Sequence, residues 1–303
     1  MEQIILDTDV AMGIAGEDID DGFALAFAIA DPHFDLKLVT TVDGNIDVDT
    51  ATSQAEFLLE RLGAAVPVVR GADKPLAGRR RKYWGTLNDT SDNAGADIPA
   101  AMRIVRELRS KVQPMTILAI GPLTNIALAL LLDPSIKSRI RRLVIMGGRY
   151  YGLDWGTGIP GEYNFWADPE AAQVVLDTEI DTWLVGTDVT YQVTMNQKES
   201  AALLARGGSF GSYAGQCALD WLEDLNTRSK EPVDEFYLHD PLAVAAASRP
   251  EIIGWEDHPV GIVLDGQARG ICYLGGNGPV CHVARTVDVA AFKQYMFEQL
   301  GKI

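Results

Sequence analysis

The sequence predicts an α/β fold: a single domain over residues 1–303 with a mostly parallel central sheet flanked by helices. Short apolar runs bounded by polar or glycine-containing turns recur along the first two thirds of the chain. Segments with apolar residues at helical spacing lie between them, and this alternation is typical of a parallel sheet with helices on both faces. The sequence has no low-complexity linker and no internal repeat. One domain, with strands and helices added at its C-terminal end, therefore accounts for the whole sequence.

Six apolar runs are predicted as short buried strands because each is bounded by polar or glycine-containing turns. These strands are 4–6, 36–42, 66–69, 115–120, 142–148 and 182–186. The predicted helices between them are 20–30, 48–62, 97–110, 123–132 and 168–177. After residue 187 the pattern becomes more helical. The predicted C-terminal elements are strands at 261–265, 268–274 and 281–287 and a closing helix at 288–300.

Composition excludes several classes of partner. The 42 acidic residues against 26 Lys and Arg give a formal net charge of -16, which repels nucleic acid polymers and anionic membranes. The three cysteines form no close disulfide or zinc pattern, which favours a reducing compartment. No apolar run approaches the length of a membrane span, and residues 1–6 carry no basic leader. We therefore expect a cytoplasmic protein with no nucleic acid or membrane partner.

The stretch "ILDTDVAMGIAGEDIDDGFALAFAIA", residues 5–30, holds six acidic residues between two apolar runs. Asp7 and Asp9 follow the first strand, and Asp20 and Asp21 begin the first helix. Open parallel sheets bind ligands outside the carboxyl ends of their strands, so these carboxylates should converge there. Converging carboxylates raise one another's pKa unless a cation neutralises them. Because the ligands are all oxygens, the sequence favours Ca²⁺ or Mg²⁺ over zinc or copper.

Ordinary helix-start and loop chemistry also explains these acidic residues. Asp20 and Asp21 suit a helix N-terminus through capping and the helix dipole, and Glu17 and Asp18 fit a solvated loop. Taken alone, the stretch does not decide between this interpretation and a metal site.

A second acidic candidate, Asp240, lies in "YLHDPLAVAAA", residues 237–247. Asp-Pro before an apolar run is an ordinary helix start, and the same construction recurs at Asp133 and Asp168. His239, immediately before Asp240, adds a side chain that can donate a proton near neutral pH. A lone histidine is nevertheless more often structural than catalytic.

Four further positions lie at strand or loop ends. "AIGPLTNIALALLL", residues 119–132, ends a strand at Ile120, whose carbonyl would be free to coordinate a metal. "TTVDGN" places Asn45 beyond another strand end. "PGEYNFWADPEAA" offers Glu162 and Asn164 in an apolar, aromatic setting. Turn chemistry alone accounts equally for each of them.

The chain resembles the inosine-uridine preferring nucleoside hydrolases in six motifs that occur in order. They are "DTD…DD", "TTVDGN", "AIGPLTNIALAL", "VIMGG", "EYN" before "DPEAA", and "HDPLAV". The resemblance runs from about residue 4 to residue 248 and continues more weakly to the closing helix. It implies a Rossmann-related α/β fold, one bound Ca²⁺, and hydrolysis of the N-glycosidic bond of ribonucleosides to ribose and free base. Members of this family are often homodimers or homotetramers, and the resemblance implies the same here.

The resemblance also implies a role for each candidate residue. Ca²⁺ would be held by Asp9, Asp21, the Ile120 carbonyl and Asp240. Asp9 would also be the general base that removes a proton from the metal-bound water. His239 would stand where the family places a leaving-group proton donor. The ribose-binding positions would be Asp20, Asn45, Glu162 and Asn164.

Three features depart from the family's pattern. Ten residues, 10–19, separate Asp9 from Asp20 where three are usual, and this insertion is expected to spare the metal site but to reshape the specificity pocket. Trp84 occupies the region in which many members have a histidine near the base. Tryptophan can stack on a purine, so a purine preference is predicted, although a hydrophobic loop anchor explains Trp84 equally well. No asparagine precedes Glu162 at the expected spacing, which leaves recognition of the ribose 5′ side open.

Other interpretations stay open. The basic run Arg79, Arg80, Arg81 and Lys82 is predicted as a solvated loop, with a site for an anionic 5′-phosphate as the alternative. A haloacid-dehalogenase-like phosphatase also begins with strand-D-x-D, but "VIMGGRYYG" lacks the later lysine and acidic pair that it needs. A modified nucleoside or another N-riboside as substrate, or a non-catalytic nucleoside-binding or ribose-binding protein, are the remaining alternatives.

Overall fold

The computed structural model describes residues 1–77, 98–152 and 158–303. Its strands are β1 Glu2–Thr8, β2 Phe34–Thr41, β3 Val68–Arg70, β4 Met115–Ala119, β5 Ile140–Met146, β6 Thr182–Val185, β7 Thr194–Asn196, β8 Glu235–Tyr237, β9 Ile253–Ile262, β10 Cys272–Leu274 and β11 Val280–Val287. Nine of these strands form one sheet, and β7 pairs with β8 in a separate antiparallel ribbon.

The helices cover both faces of the sheet. They are α1 Asp20–Ala30, α2 Val48–Arg61, α3 Pro99–Ser110, α4 Thr124–Leu132, α5 Tyr163–Ala167, α6 Pro169–Leu176, α7 Thr187–Thr190, α8 Gln197–Arg206, α9 Ser209–Arg228, α10 His239–Ser248 and α11 Val289–Leu300. Short 3₁₀ helices occupy Pro134–Arg139 and Pro250–Ile252. Within the described ranges, no helix combines the length and apolar character needed to cross a bilayer.

The order of strands across the large sheet is β10-β9-β11-β6-β5-β4-β1-β2-β3. From β3 to β11 the neighbouring strands are parallel, and β9 and β10 complete one edge in antiparallel pairing. The chain builds outward from β1 in one direction and then returns to add β4 on the other side. This reversal makes the carboxyl ends of β1 and β4 a topological switch point, where such sheets bind ligands.

The predicted α/β fold is confirmed, with one correction near the C-terminus. The strand predicted at 261–265 is the end of a longer strand, β9, and the strand predicted at 268–274 begins at Cys272. Sequence patterning missed the first part of β9 because Glu256 and Asp257 are exposed there and break any apolar run.

Two apolar layers enclose the sheet, and one of them positions the functional residues. Almost every side chain of α1 and of α10 is buried, in keeping with helices that are apolar all round. The four alanines of α10, all buried, have small side chains that let α1 and α10 pack closely. Both helices carry aspartates in their first turns, so this packing brings acidic residues from distant parts of the chain together.

Candidate active site

The residues that follow β1, β2 and β4 meet at the switch point. Asp9 follows β1, Asn45 lies in the turn after β2, and Ile120 directly follows β4. Asp9 and Ile120 are buried, while Asn45 is partly exposed. The strand ends therefore supply carboxylate, amide and carbonyl oxygens to one edge of the sheet, as the sequence predicts.

Carboxylates of Asp20, Asp21 and Asp240 offer oxygen atoms that lie within 4.8 Å of one another. Asp20 and Asp21 begin α1, and Asp240 lies in the first turn of α10. The backbone N–H of Asp240 donates to Asp20 Oδ2 at 2.9 Å, so Asp20 caps α10 from a different helix. The predicted metal ligands Asp21 and Asp240 are thus neighbours, and Asp20, predicted to bind ribose, lies in the same acidic group.

Asp9 sits in a tight pocket beside this group. The side chain is buried, and its Oδ2 accepts a hydrogen bond from the backbone N–H of Asn45 at 2.7 Å. Its Oδ1 has no hydrogen-bond partner among the described residues. A Cβ atom at Gly44 would overlap Oδ2, and one at Gly121 would lie 2.8 Å from Oδ1, so both glycines leave room for the carboxylate. A buried carboxylate oxygen without a donor is a position that a cation can satisfy.

Burial is the main cause of the high proton affinity of this group. It raises the pKa of Asp9 well above its usual range, and the charge of Asp21 raises it further. Burial likewise raises the pKa of Asp20 and of Asp240 well above the usual range, and it raises the pKa of Asp21. Such a cluster favours either bound protons or a bound cation at neutral pH. A hard divalent cation fits because every donor is an oxygen.

Neighbouring polar side chains hold the carboxylates in place. The Thr8 hydroxyl and the Asn45 amide both donate to Asp21, the latter at 3.1 Å. The Asn125 amide donates to Asp7 Oδ1 and to a β2 carbonyl, each at 2.8 Å. Sequence reasoning missed Thr8 and Asn125, although "DTD" and "GPLTN" contain them. The signal that could have identified them is a polar residue in the same motif as a candidate ligand.

Asn164 lies next to the carbonyl that was predicted to bind metal. Its amide Nδ2 donates to the Ile120 carbonyl at 3.0 Å and to the Met146 carbonyl at 3.2 Å. Asn164 therefore joins the ends of β4 and β5 at the edge of the site. The Ile120 carbonyl, predicted to be free, thus accepts a hydrogen bond from Asn164, and a carbonyl oxygen has a second lone pair that could bind a cation.

Glu162 has a structural function in addition to its predicted contact with ribose. Its side chain caps α5 by accepting hydrogen bonds from the backbone N–H groups of Asn164 and Phe165, at 2.7 and 3.1 Å. It also accepts one from the N–H of Gly148 at 2.8 Å, after the end of β5. Both carboxylate oxygens are thus used to fix the backbone that carries Asn164.

Replacing Glu162 by glutamine is expected to destabilise the fold by about 2–3 kcal/mol, because one acceptor becomes an NH₂ group facing backbone donors. Urea unfolding measures this loss, and Glu179→Gln, an exposed change, is the control. A large rise in KM for a nucleoside with unchanged unfolding free energy would contradict the structural function and favour direct ribose contact.

His239 is fixed by contacts on its ring. Its Nδ1 lies 2.6 Å from the hydroxyl of buried Thr190, on α7. The rings of Tyr191 and Tyr237 each lie 5.4 Å from the imidazole, centroid to centroid. Burial lowers the pKa of His239 to about 4, so the ring is neutral at pH 7. His239 begins α10 directly before Asp240, and its predicted function as a proton donor stays a prediction.

The insertion at 10–19 packs into the fold at both ends. Val10, Ala11 and Met12 are buried, and the Tyr213 hydroxyl of α9 donates to the Met12 carbonyl at 3.2 Å. Burial raises the pKa of Asp18, near the end of the insertion, to about 6. The first half of the insertion is therefore part of the core, and Asp18 adds a carboxylate beside the acidic group.

Four predicted positions lie outside the described residues. They are Trp84, with its predicted stacking on the base, and the three arginines Arg79, Arg80 and Arg81 of the basic run, whose last residue, Lys82, also lies outside them.

A sequence model of the inosine-uridine preferring nucleoside hydrolases matches residues 4–294. The chain belongs to this family. The match confirms the predicted family and enzyme class, so this nucleoside hydrolase is an N-glycosyl hydrolase that acts on ribonucleosides. The match spans the acidic start of the chain and the His239–Asp240 pair near its end.

Relatives and solved structures agree with this membership. The nucleoside hydrolase is 35% identical to the non-specific ribonucleoside hydrolase RihC of Shigella boydii serotype 18, with 98% of both chains covered. It is 30% identical to uridine nucleosidase 1 of Arabidopsis thaliana, covering 99% of this chain and 94% of that one. A plant nucleoside hydrolase, PpNRh1, superposes with a TM-score of 0.84 at 27% identity, covering 99% of this chain and 98% of that one.

Proposed function

We propose that this nucleoside hydrolase uses Ca²⁺ held by Asp9, Asp21, Asp240 and the Ile120 carbonyl, with Asp9 as general base. The observation that carries the proposal is the unpartnered, buried Oδ1 of Asp9 beside three more buried carboxylates. Burying several ionised carboxylates together has a high free-energy cost unless a counter-charge neutralises them. Its all-oxygen donor set suits Ca²⁺, which accepts flexible coordination by carboxylates and backbone carbonyls.

The reaction breaks the C1′–N bond and forms a C1′–O bond with water. A cation in the site lowers the pKa of a water molecule and neutralises the carboxylates. Asp9 accepts the proton from the attacking water, because a carboxylate kept ionised by a bound cation can act as a general base. As the glycosidic bond breaks, positive charge develops on the ribose ring, and the negative charge of the pocket stabilises it.

The ribose hydroxyls are bound by the polar groups around the acidic cluster. Asp20, Asn45, Asn164 and Glu162 are the proposed contacts, and the first three lie at the switch point or bond to residues there. A hydroxyl donates well to a carboxylate and accepts well from an amide. Carboxylates and amides together therefore discriminate a sugar from an apolar ligand.

His239, predicted as the leaving-group proton donor, acts on the departing base through a hydrogen bond. In a neutral ring that carries its proton on Nε2, this N–H donates a hydrogen bond to the base as negative charge develops on it. The C1′–N electron pair stays on the base, which leaves as an anion stabilised by this hydrogen bond and then takes a proton from solvent water, while His239 stays neutral. We propose a preference for purines over pyrimidines, supported by the stacking capacity of Trp84.

We further propose that the chain works as one domain in a homodimer or homotetramer of the cytoplasm. Its three cysteines are buried and unpaired, which suits a reducing compartment. The proposed oligomeric state is supported by the family resemblance, because members of this family are often homodimers or homotetramers.

The test is release of free ribose from purine, pyrimidine and nicotinamide ribosides, with chelated protein and after Ca²⁺ is restored. We expect release that depends on Ca²⁺ and is fastest with purines. Ribose release that chelation does not diminish would contradict the proposed metal requirement. Faster ribose release from uridine than from purine ribosides would contradict the proposed base preference. Binding of ribosides to Ca²⁺-loaded protein without any release would identify a binding protein.

A further inference from the structure

The His239 imidazole is oriented by one hydrogen bond and two aromatic rings. Thr190 Oγ1 lies 2.6 Å from Nδ1, at a distance that requires one of the two atoms to donate. The rings of Tyr191 and Tyr237 lie against the imidazole at interplanar angles of 73° and 41°. These contacts come from α7 and β8, so His239 is held from two separate elements.

The contact with Thr190 determines which ring nitrogen is left for a substrate. With Nδ1 engaged by the hydroxyl, Nε2 is the nitrogen that can reach a leaving group. If the neutral ring carries its proton on Nε2, the Thr190 hydroxyl donates to Nδ1. If the ring is doubly protonated, Nδ1–H donates to the hydroxyl. The contact with Thr190 is therefore compatible with a proton on Nε2 in both states.

We propose that Thr190 is a positioning residue for the hydrogen bond that stabilises the departing base. Its hydroxyl fixes the His239 ring so that Nε2 carries a proton and is presented to the base. This inference rests on the proposed function and adds to it a residue 49 positions away in the chain. When the C1′–N bond breaks, its electron pair goes to the base nitrogen, the Nε2–H donates a hydrogen bond to the resulting anion, and solvent water then protonates the base, so the His239 ring stays neutral throughout.

A merely structural function is the competing explanation. Thr190 is fully buried, and any buried hydroxyl needs a hydrogen-bond partner. Loss of that hydrogen bond would then weaken the fold and slow every substrate alike. The two explanations differ for a substrate whose leaving group is a stable anion and needs no hydrogen bond from His239.

The test compares inosine with 4-nitrophenyl β-D-ribofuranoside, whose phenolate leaves as a stable anion. In Thr190→Val we expect kcat for inosine to fall by about 10–100-fold, by analogy with groups that orient metal-binding histidines. The rate on the aryl riboside should fall far less, so the ratio of the two rates changes. Thr190→Ser, which keeps the hydroxyl, should restore the ratio. Thr187→Val, which removes another buried hydroxyl of α7, should leave the ratio unchanged.

A double-mutant cycle with His239→Ala makes the test specific. If Thr190 acts through the imidazole, Thr190→Val adds no further loss on inosine in the His239→Ala background. An equal loss on both substrates, an unchanged rate on inosine, or full additivity would overturn the inference. Wild-type protein that hydrolyses neither substrate would overturn the proposed function together with it.

A measurement on unaltered protein covers the case in which Thr190→Val does not fold. Nitrogen-15 NMR of labelled histidines identifies the protonated ring nitrogen, with His239→Gln assigning the signal. A neutral His239 ring with its proton on Nε2 supports the inference. A neutral ring with its proton on Nδ1 would overturn it.

Discussion

Replacing Asp9 by asparagine is expected to lower kcat for ribonucleosides by about 10³-fold or more at saturating Ca²⁺, in keeping with loss of a general base. The change is nearly isosteric and removes one charge from a site where burial and the charge of Asp21 raise the pKa of Asp9. The variant should therefore fold, and without cation it should be as stable as the wild type or more so. Ribose release and thermal unfolding of the same samples measure both effects.

The matched control is Asp35→Asn, the same chemical change on β2. Asp35 is a partly exposed residue that pairs with Lys37 near the start of that strand. We expect almost no change in kcat, because surface ion pairs contribute little. Near-normal turnover by Asp9→Asn would show that another group removes the proton from water.

Removal of the cation is expected to make stability fall as pH rises. Burial raises the pKa of Asp7 to about 7 and the pKa of Asp9 and Asp240 well above the usual range, compared with about 4 for an unfolded aspartate. The folded protein then holds more protons than the unfolded chain, so the stability from Asp7 is fully present below about pH 4 and is lost as pH rises through 7, and Asp9 and Asp240 contribute in the same direction.

The calcium-loaded protein should behave differently, because cation binding requires the ionised carboxylates. We therefore expect the Tm difference between calcium-loaded and chelated protein to widen between pH 5 and pH 8. Asp240→Asn should reduce both the Ca²⁺ effect and the pH dependence of the chelated protein. A chelated wild-type protein whose Tm rises over this interval would contradict the assignment of these pKa values.

Most of the sheet could be predicted from the sequence because parallel strands are buried on both faces and appear as uninterrupted apolar runs. Strand β9 could not, since its exposed Glu256 and Asp257 lie on an antiparallel strand near the sheet edge. Its assignment needs the tertiary context, in which β11 supplies the hydrogen-bond partner.

The candidate site was predictable to the extent that its residues lie in short motifs. Asp9, Asp21 and Asp240 follow from a strand end and two helix starts, and the order of the motifs suggested that they belong to one site. Contacts that bridge distant segments had no such signal. Thr190 contacts His239 where α7 packs beside α10, and no residue spacing within a local motif predicts this contact.

The hydrogen bond from the Asp240 backbone to Asp20 has a consequence for how the molecule assembles during synthesis. The two residues are separated by 220 positions, so the first half of the acidic cluster leaves the ribosome long before the second. An N-terminal fragment can form β1 and α1 but lacks the ligand on α10, and closing so long a loop costs conformational entropy. If the proposed cation binds at this cluster, tight binding is expected to be a late event of folding, and a calcium-binding signal would then report that the C-terminal helices have docked.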